Sequence, residues 1–558
     1  MSAHSSPSSH STHPYDRLMS LLQLEKSDLW VTVVFSAAIG LLTLAVPVAT
    51  QSIVNTIAFG NLLQPLVVLS LVVLALLGFS TVLQTMRFYV VELLQRRIFV
   101  RISSDSANRL LRARTDELES HHGPELVNRF LEVVTLQKAG ATLLVDGLSV
   151  VMQTFVGTVL LAVYHPWLLA FDLLLLAAIV VIVFPLGRGA VKTAVEESRS
   201  KYELVAWLEE IARHPTAFRA REPMWFALGR ADKLVAEYLH HRNLHFRILL
   251  RQVIGSWVLY AIASASLLGV GGWLVISRQL TLGQLIAAEL VLALVVSGFS
   301  KLGKHLETYY DLLAAMDKLG YLTDLPLEES GAESPHAVNG PSRLVVNGVE
   351  WRGILRDAHL SLSPGERVAM MGVSGAGKST LFDIICRYRE PEAGAVRLNG
   401  QDVRMAQIAE FRELVALVRG VEIFQGSILD NVRMGRAECD SVRVKEALER
   451  AGLLQELEAL PDGLNTELTT GGRPLSGGQA IRLMLARAFA GRPRLLLIDE
   501  TLDWLDDAEG RDQALQTVFD PGAGWTLLVA TNRPDIAARC GRVVRVVKGA
   551  VVESEGGR

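Results

Sequence analysis

The chain is 558 residues long, room for two or three domains, and its 50% hydrophobic content lies at the top of the soluble range. A net charge of -3 lacks the basic surplus of a protein that tracks phosphate backbones, which argues against nucleic acid as a partner. Three cysteines, Cys386, Cys439 and Cys540, show no paired spacing, which argues against a disulfide framework or a zinc site.

The opening MSAHSSPSSHSTH is Ser/His/Pro-rich and cannot build a core, so residues 1–14 read as a disordered tail, with metal binding by its histidines as the lesser alternative. It lacks the apolar segment of a cleavable signal peptide. Leu18, Leu21 and Leu22 then share one face of a short amphipathic stretch suited to a membrane interface. Six segments are long and apolar enough to span a bilayer: 30–50, 64–84, 143–163, 168–186, 253–276 and 282–300. The third and fourth form a hairpin about Tyr164, His165, Pro166 and Trp167. Connections on one side are short and nearly uncharged, as in AFGNLLQ, whereas those on the other are long and basic, as in LLQRRIFVRISSDSANRLLRAR. The positive-inside rule puts the long connections and both termini in the cytoplasm. Helical patterning through 87–140 and 189–245 extends the spans well into the cytosol. Asp172 and Glu289 are ionisable groups within spans, marking either a polar cavity or positions at the outer headgroups. Residues 15–325 therefore read as a six-helix, all-α transmembrane domain and 326–342 as a Glu/Ser/Pro/Gly-rich linker. From 343 to 558 short apolar strands alternate with helices, the pattern of an α/β domain.

Residues 372–379, GVSGAGKS, follow the strand-like RVAMM and precede the helix-like TLFDIICRY. This is the phosphate-cradling pattern G-x-x-x-x-G-K-[ST]: glycines permit a tight loop of inward N–H groups, and a helix N-terminus faces the anion. The expected nucleotide contacts are Gly372, Ser374, Gly375, Ala376, Gly377, Lys378, Ser379 and Thr380, with Lys378 on the β and γ phosphates and Ser379 on Mg²⁺. LLLIDE, 495–500, is an apolar strand ending in two carboxylates; Asp499 suits a metal-water contact and Glu500 suits polarising an attacking water. Just upstream stands LSGGQ, 475–479.

Together these motifs, in this order, resemble an ABC transporter half-unit of the exporter type, similar to haemolysin and bacteriocin secretion exporters without their N-terminal peptidase domain. The resemblance implies a six-helix membrane domain fused to an α/β P-loop ABC ATPase domain in the inner membrane, with ATP and Mg²⁺ as cofactors. It implies a second half-transporter subunit, identical or different, because in this family LSGGQ closes over the nucleotide held by a partner. Ser476, Gly477, Gly478 and Gln479 would form that lid, and Leu505 with Asp506 would lie across the interface. Membrane lipid, a transported cargo (peptide or protein first, an amphipathic molecule second) and a periplasmic adaptor complete the implied partners. Stretches 121–133 and 216–234 take the place of the family's coupling loops.

Four features depart from the family pattern. Asn532, ending the strand-like LLVAT, stands where a switch histidine touches the γ-phosphate; an amide can donate a hydrogen bond but cannot carry charge. Arg419 and Gly420 stand where a glutamine reaches Mg²⁺, and Gln425 lies too far along to replace it. Gly353 replaces the adenine-stacking tyrosine, leaving Trp351 to approach the base, and Thr470 replaces a glutamate near the signature. The intact Lys378, Asp499, Glu500 and LSGGQ favour retained, slower hydrolysis with Glu500 as main base and Asn532 assisting; a nucleotide-gated scaffold or regulator is the alternative.

Overall fold

A computed structural model describes residues 13–59, 63–120, 123–336, 338–505 and 510–553. Residues 1–12 of the predicted tail and Asp506 of the predicted interface lie outside these. The chain divides into two compact units, Met1–Ala113 with Glu117–Pro326, and Arg114–Asp116 with Leu327–Arg558.

The regular elements of the first unit are helices among the described residues. Among the described residues, five helical stretches have the length and composition to cross a membrane: Lys26–Thr56, Gln64–Arg112, Leu126–Tyr164, Pro166–Val183 and Arg221–Ile276. The sixth predicted segment is the helix Leu282–Ser300, with a shorter apolar stretch at Leu282–Val295. Helices Leu63–Arg112 and Arg221–Ile276 contain 50 and 56 residues. At about 1.5 Å per residue each is more than twice as long as the roughly 30 Å hydrocarbon layer. Their large apolar side chains, Leu74, Phe79 and Trp257 among them, stand exposed, as faces meant for lipid require.

Local chemistry explains the breaks. Helix Lys26–Leu42 yields to Ala45–Phe59 just before Pro47, which has no N–H and crowds the preceding turn. Pro166 opens the helix Pro166–Val183, and His165 caps it by accepting the Trp167 amide at Nδ1 over 3.2 Å, which makes the predicted hairpin. Where polar groups are buried they link helices: Gln252 Nε2 donates to Tyr310 Oη at 3.1 Å and to the Val183 carbonyl at 3.3 Å. Asp172 is buried with neither carboxylate oxygen hydrogen-bonded among the described residues, whereas Glu289 is exposed.

Among the described residues the second unit carries twelve strands. They are β1 (Leu344–Trp351), β2 (Leu355–Leu362), β3 (Arg367–Met371), β4 (Ala393–Leu398), β5 (Gln401–Asp402) and β6 (Val415–Arg419). They continue with β7 (Gly426–Ser427), β8 (Glu467–Leu468), β9 (Leu495–Asp499), β10 (Thr526–Ala530), β11 (Arg542–Val547) and β12 (Ala550–Glu553). The main sheet runs β12-β11-β3-β10-β9-β6, and only the β11–β12 pairing is antiparallel. β3, β9 and β10 are near-continuous apolar runs because helices cover both faces of a parallel sheet. Parallel order also brings the carboxyl ends of β3, β10, β9 and β6 to one edge, the usual ligand crevice of such sheets.

Candidate nucleotide site

Four strand ends converge there. Parallel register places Met370 beside Ala530, Ala530 beside Asp499, and Asp499 beside Arg419. Each strand thus delivers its following residues to the same edge: the glycine loop after β3, Asn532 after β10, Glu500 after β9 and Arg419 at the tip of β6.

The glycine loop runs from β3 into helix Lys378–Ile385. Gly375 and Gly377 have φ of 80° and 108°, where a Cβ would be strained, and a Cβ on Gly377 would also meet Leu355 Cδ2 at 2.9 Å. Ser374, Gly375 and Ser379 are exposed, Thr380 is partly exposed, and Ala376 and Gly377 are buried. The Lys378 side chain is only 4% exposed; its Nζ donates to the Gly372 carbonyl at 2.6 Å and lies 3.0 Å from Glu500 Oε1. Glu500 sits in the left-handed region at φ 54°, its amide bonded to the Ala530 carbonyl at 2.9 Å. Asn532 Nδ2 donates to the same Glu500 Oε1 at 3.3 Å. The expected base and the residue in the switch position are therefore brought together with the loop lysine.

Asp503, three residues beyond Glu500, belongs to none of the motifs in the sequence. Its Oδ2 accepts the Asn532 amide at 2.9 Å, and its other oxygen accepts the Thr531 hydroxyl, so it fixes the turn that aims Asn532. Arg419 takes a larger part than the sequence suggested. Its Nε donates to Asp499 Oδ2 at 2.7 Å, Nη1 to Asp383 Oδ1 at 2.7 Å and Nη2 to the Ser379 carbonyl at 2.9 Å. Burial works against its charge, but Asp383 and Asp499 outweigh this and raise its pKa. The residue next to it in the missing-glutamine position, Gly420, adopts φ 59°, and Gln425 is exposed just before β7.

The donor set fits a hydrated hard cation. Asp499 is 4% exposed in its side chain, and its Oδ1 is buried without a hydrogen-bond partner among the described residues. Ser379 offers an exposed hydroxyl on the first helical turn.

The signature opens helix Gly477–Ala490. Ser476 caps it, and a reciprocal box forms: the Gln479 amide donates to Ser476 Oγ at 3.3 Å and the Ser476 amide to Gln479 Oε1 at 2.8 Å. Gln479 Nε2 donates to Glu456 Oε2 at 2.7 Å, so its side chain is engaged within its own chain and steadies the helix end. A Cβ on Gly477 or Gly478 would meet nothing within 4 Å, and neither has positive φ. Packing within this chain therefore gives no reason for glycine at these two positions. Thr470 is exposed.

Trp351 requires a correction. It is 7% exposed and packed in the core beneath the β1–β2 sheet, with the Arg352 and Arg389 guanidinium carbons 4.8 and 4.9 Å from its ring. A register shift in β1 between Val346 and Val349 moves the inward set to Val349 and Trp351, so Trp351 does not present a face to a base.

Two family descriptions match the chain: "ABC transporter" over residues 355–503 and "ABC transporter transmembrane region" over 29–211. The chain belongs to the ABC transporter family, with membrane and ATPase parts fused in one polypeptide. The transporter is 25% identical over 531 residues to the cyclolysin secretion/processing ATP-binding protein CyaB of Bordetella pertussis, an alignment covering 93% of this chain and 73% of that protein. It is 31% identical over 287 residues to the ATP-dependent lipid A-core flippase of Burkholderia pseudomallei, covering 50% and 47%. It is 28% identical over 333 residues to the exotoxin translocation ATP-binding protein PaxB of Pasteurella aerogenes, covering 58% and 46%. The transporter thus spans less than half the length of the last two relatives. In fold it is similar to a solved bacterial Atm1-family ABC exporter with ATP bound, at TM-score 0.82 and 20% identity over 96% of this chain and 95% of that one.

Proposed function

We propose that two such chains form an exporter that binds two ATP molecules between their ATPase domains and uses hydrolysis to reset an alternating-access membrane bundle. The observation that carries this reading is the meeting of Lys378, Glu500 and Asn532 at one sheet edge, in a chain that also holds membrane-length helices. Gly477 and Gly478 support the dimer: glycines open to the outside allow a triphosphate held by a second copy to approach the backbone of a helix N-terminus. Trp504, 73% exposed beside the predicted interface segment, suits a contact made only on association.

In this reading the loop 372–380 cradles the phosphates, and Lys378 exchanges Glu500 for the β and γ phosphates. That exchange frees Glu500 to orient a water, and the Asn532 amide donates a neutral hydrogen bond at the γ-phosphate. Asp499 Oδ1 and Ser379 would hold Mg²⁺, which when bound supplies charge neutralisation on the phosphate oxygens. Residues 15–325 act as the membrane domain, 326–342 as a linker and 343–558 as the ATPase domain, placed on the cytoplasmic side of the inner membrane. The exposed Met224 and Trp225 of the 216–234 stretch fit a coupling role. Cargo of the peptide, protein or amphipathic class follows the named relatives, and an adaptor on the far side of the membrane is a further partner to seek. Purified protein in liposomes tests the proposal: cargo-stimulated phosphate release abolished by Glu500→Gln supports it, and nucleotide binding with negligible release favours the scaffold reading instead.

A further inference from the structure

A neutral amide at the tip of β6 would meet a divalent metal as a ligand, but a guanidinium meets it as a competitor. Arg419 lies directly across the ladder from Asp499, and all three of its nitrogens are committed, to Asp499, Asp383 and the Ser379 carbonyl. Asp383 is held from its other oxygen by Arg389 Nε at 2.9 Å. Asp383 and Asp499 are both buried, and although Asp383 would keep Arg389, loss of Arg419 would leave the Asp499 carboxylate without the guanidinium that pairs it.

We propose that Arg419 is a resident cation that sets the metal preference of the nucleotide site, weakening divalent-metal binding and leaving nucleotide affinity nearly independent of metal. The inference rests on the reading of 372–380 as the nucleotide cradle. Half of the Asp499 carboxylate is already occupied, leaving Oδ1 alone for a metal or its water. A fixed positive charge on the same carboxylate repels a second one. The same charge, anchored on Ser379 beside Lys378, attracts the triphosphate in the metal's place, and the rigid guanidinium fork holds it there. Arg419 is thus a specificity-determining residue of the site rather than a passive replacement for glutamine.

The test uses the full-length chain in lipid nanodiscs, a fluorescent non-hydrolysable ATP analogue, and Mn²⁺ read by electron paramagnetic resonance. For the parent, analogue affinity should change less than about threefold between EDTA and Mg²⁺. In Arg419→Gln, Mn²⁺ should bind at least about tenfold more tightly with the analogue present, whereas Arg419→Lys, which keeps the charge, should stay within about threefold of the parent. Equal Mn²⁺ affinity in parent and Arg419→Gln overturns the inference, as does an Arg419→Lys protein that behaves like Arg419→Gln. Should Arg419→Gln fail to fold, the parent decides alone: a loss of analogue affinity beyond about tenfold in EDTA overturns the proposal. Failure of parent and variants alike to bind the analogue removes the cradle reading itself, an outcome distinct from analogue binding with ordinary metal dependence.

Discussion

The two sides of the nucleotide site hold their carboxylates differently. On the glycine-loop side, Glu500 faces Lys378, a flexible ammonium that also bonds loop carbonyls and can exchange partners. On the edge-strand side, Asp499 faces Arg419, a planar guanidinium fixed at three points. Adjacent residues of one strand end thus meet one cation able to move and one locked in place. In the proposed cycle the first must let go for catalysis, and in the role inferred for Arg419 the second sets the background charge against which metal and phosphate would bind.

Breaking the mobile side should have the largest effect. Glu500→Gln should lower phosphate release by about two to four orders of magnitude while nucleotide still binds, measured by malachite-green assay beside analogue binding. Lys378→Ala should weaken analogue binding by at least about tenfold and cut release in proportion, because a charge-assisted phosphate contact is lost. Equal binding in this variant would mean that Lys378 does not leave Glu500 for the phosphates. Asp503→Ala removes the acceptor for two hydrogen bonds at Thr531 and Asn532 and should cost about tenfold in release. Asn532→Ala should cost only about fivefold, one neutral hydrogen bond, and Asn532→His should raise release above the parent. A deficit in Asn532→Ala as large as that of Glu500→Gln would move Asn532 into the role of the main base.

The smallest effect lies outside the site. Burial lowers the pKa of Lys318, on the helix Leu302–Thr323, to about 8. Above this value the folded chain has released a proton that the unfolded chain keeps up to the ordinary lysine range of about 10.4. Stability therefore rises with pH across that window. The thermal midpoint of the parent should rise slightly more between pH 8 and about 9.5 than that of Lys318→Met. Identical pH slopes would contradict the burial argument.

Much of the site was legible because its determinants are local. The loop 372–379, the carboxylates closing β9 and the Ser476 cap each fall within a few residues, so spacing alone identifies them. Arg419 was legible as a departure but not as a clamp. Its meaning comes from pairing with Asp499, 80 residues away at the neighbouring strand end, and with Asp383, 36 residues away on the helix Lys378–Ile385, partners that only the folded domain brings together. Asp503 has no local signature because its partners, Thr531 and Asn532, follow a later strand. The burial of Trp351 is not legible from alternation: Leu344 and Val346 face inward at even positions, and an irregularity in β1 after Val346 moves the inward set to Val349 and Trp351. In the membrane unit hydropathy revealed the spans, but it could not show that Asp172 is buried and Glu289 exposed, because that depends on which helix faces pack together. The π-helical turn Leu143–Gly147 at the start of the third span has no signature in composition.

The central claim, that the loop of one chain and the signature of another close on a shared nucleotide, can be probed most directly by cross-linking. Ser374 and Ser476 are both exposed, and Cys386 and Cys439 are buried, so a Ser374→Cys, Ser476→Cys pair on a Glu500→Gln, Cys540→Ser background gives a clean probe. The account predicts a disulfide-linked dimer that forms on adding ATP and is absent without it. A chain that stays monomeric on denaturing gels with ATP bound would contradict it.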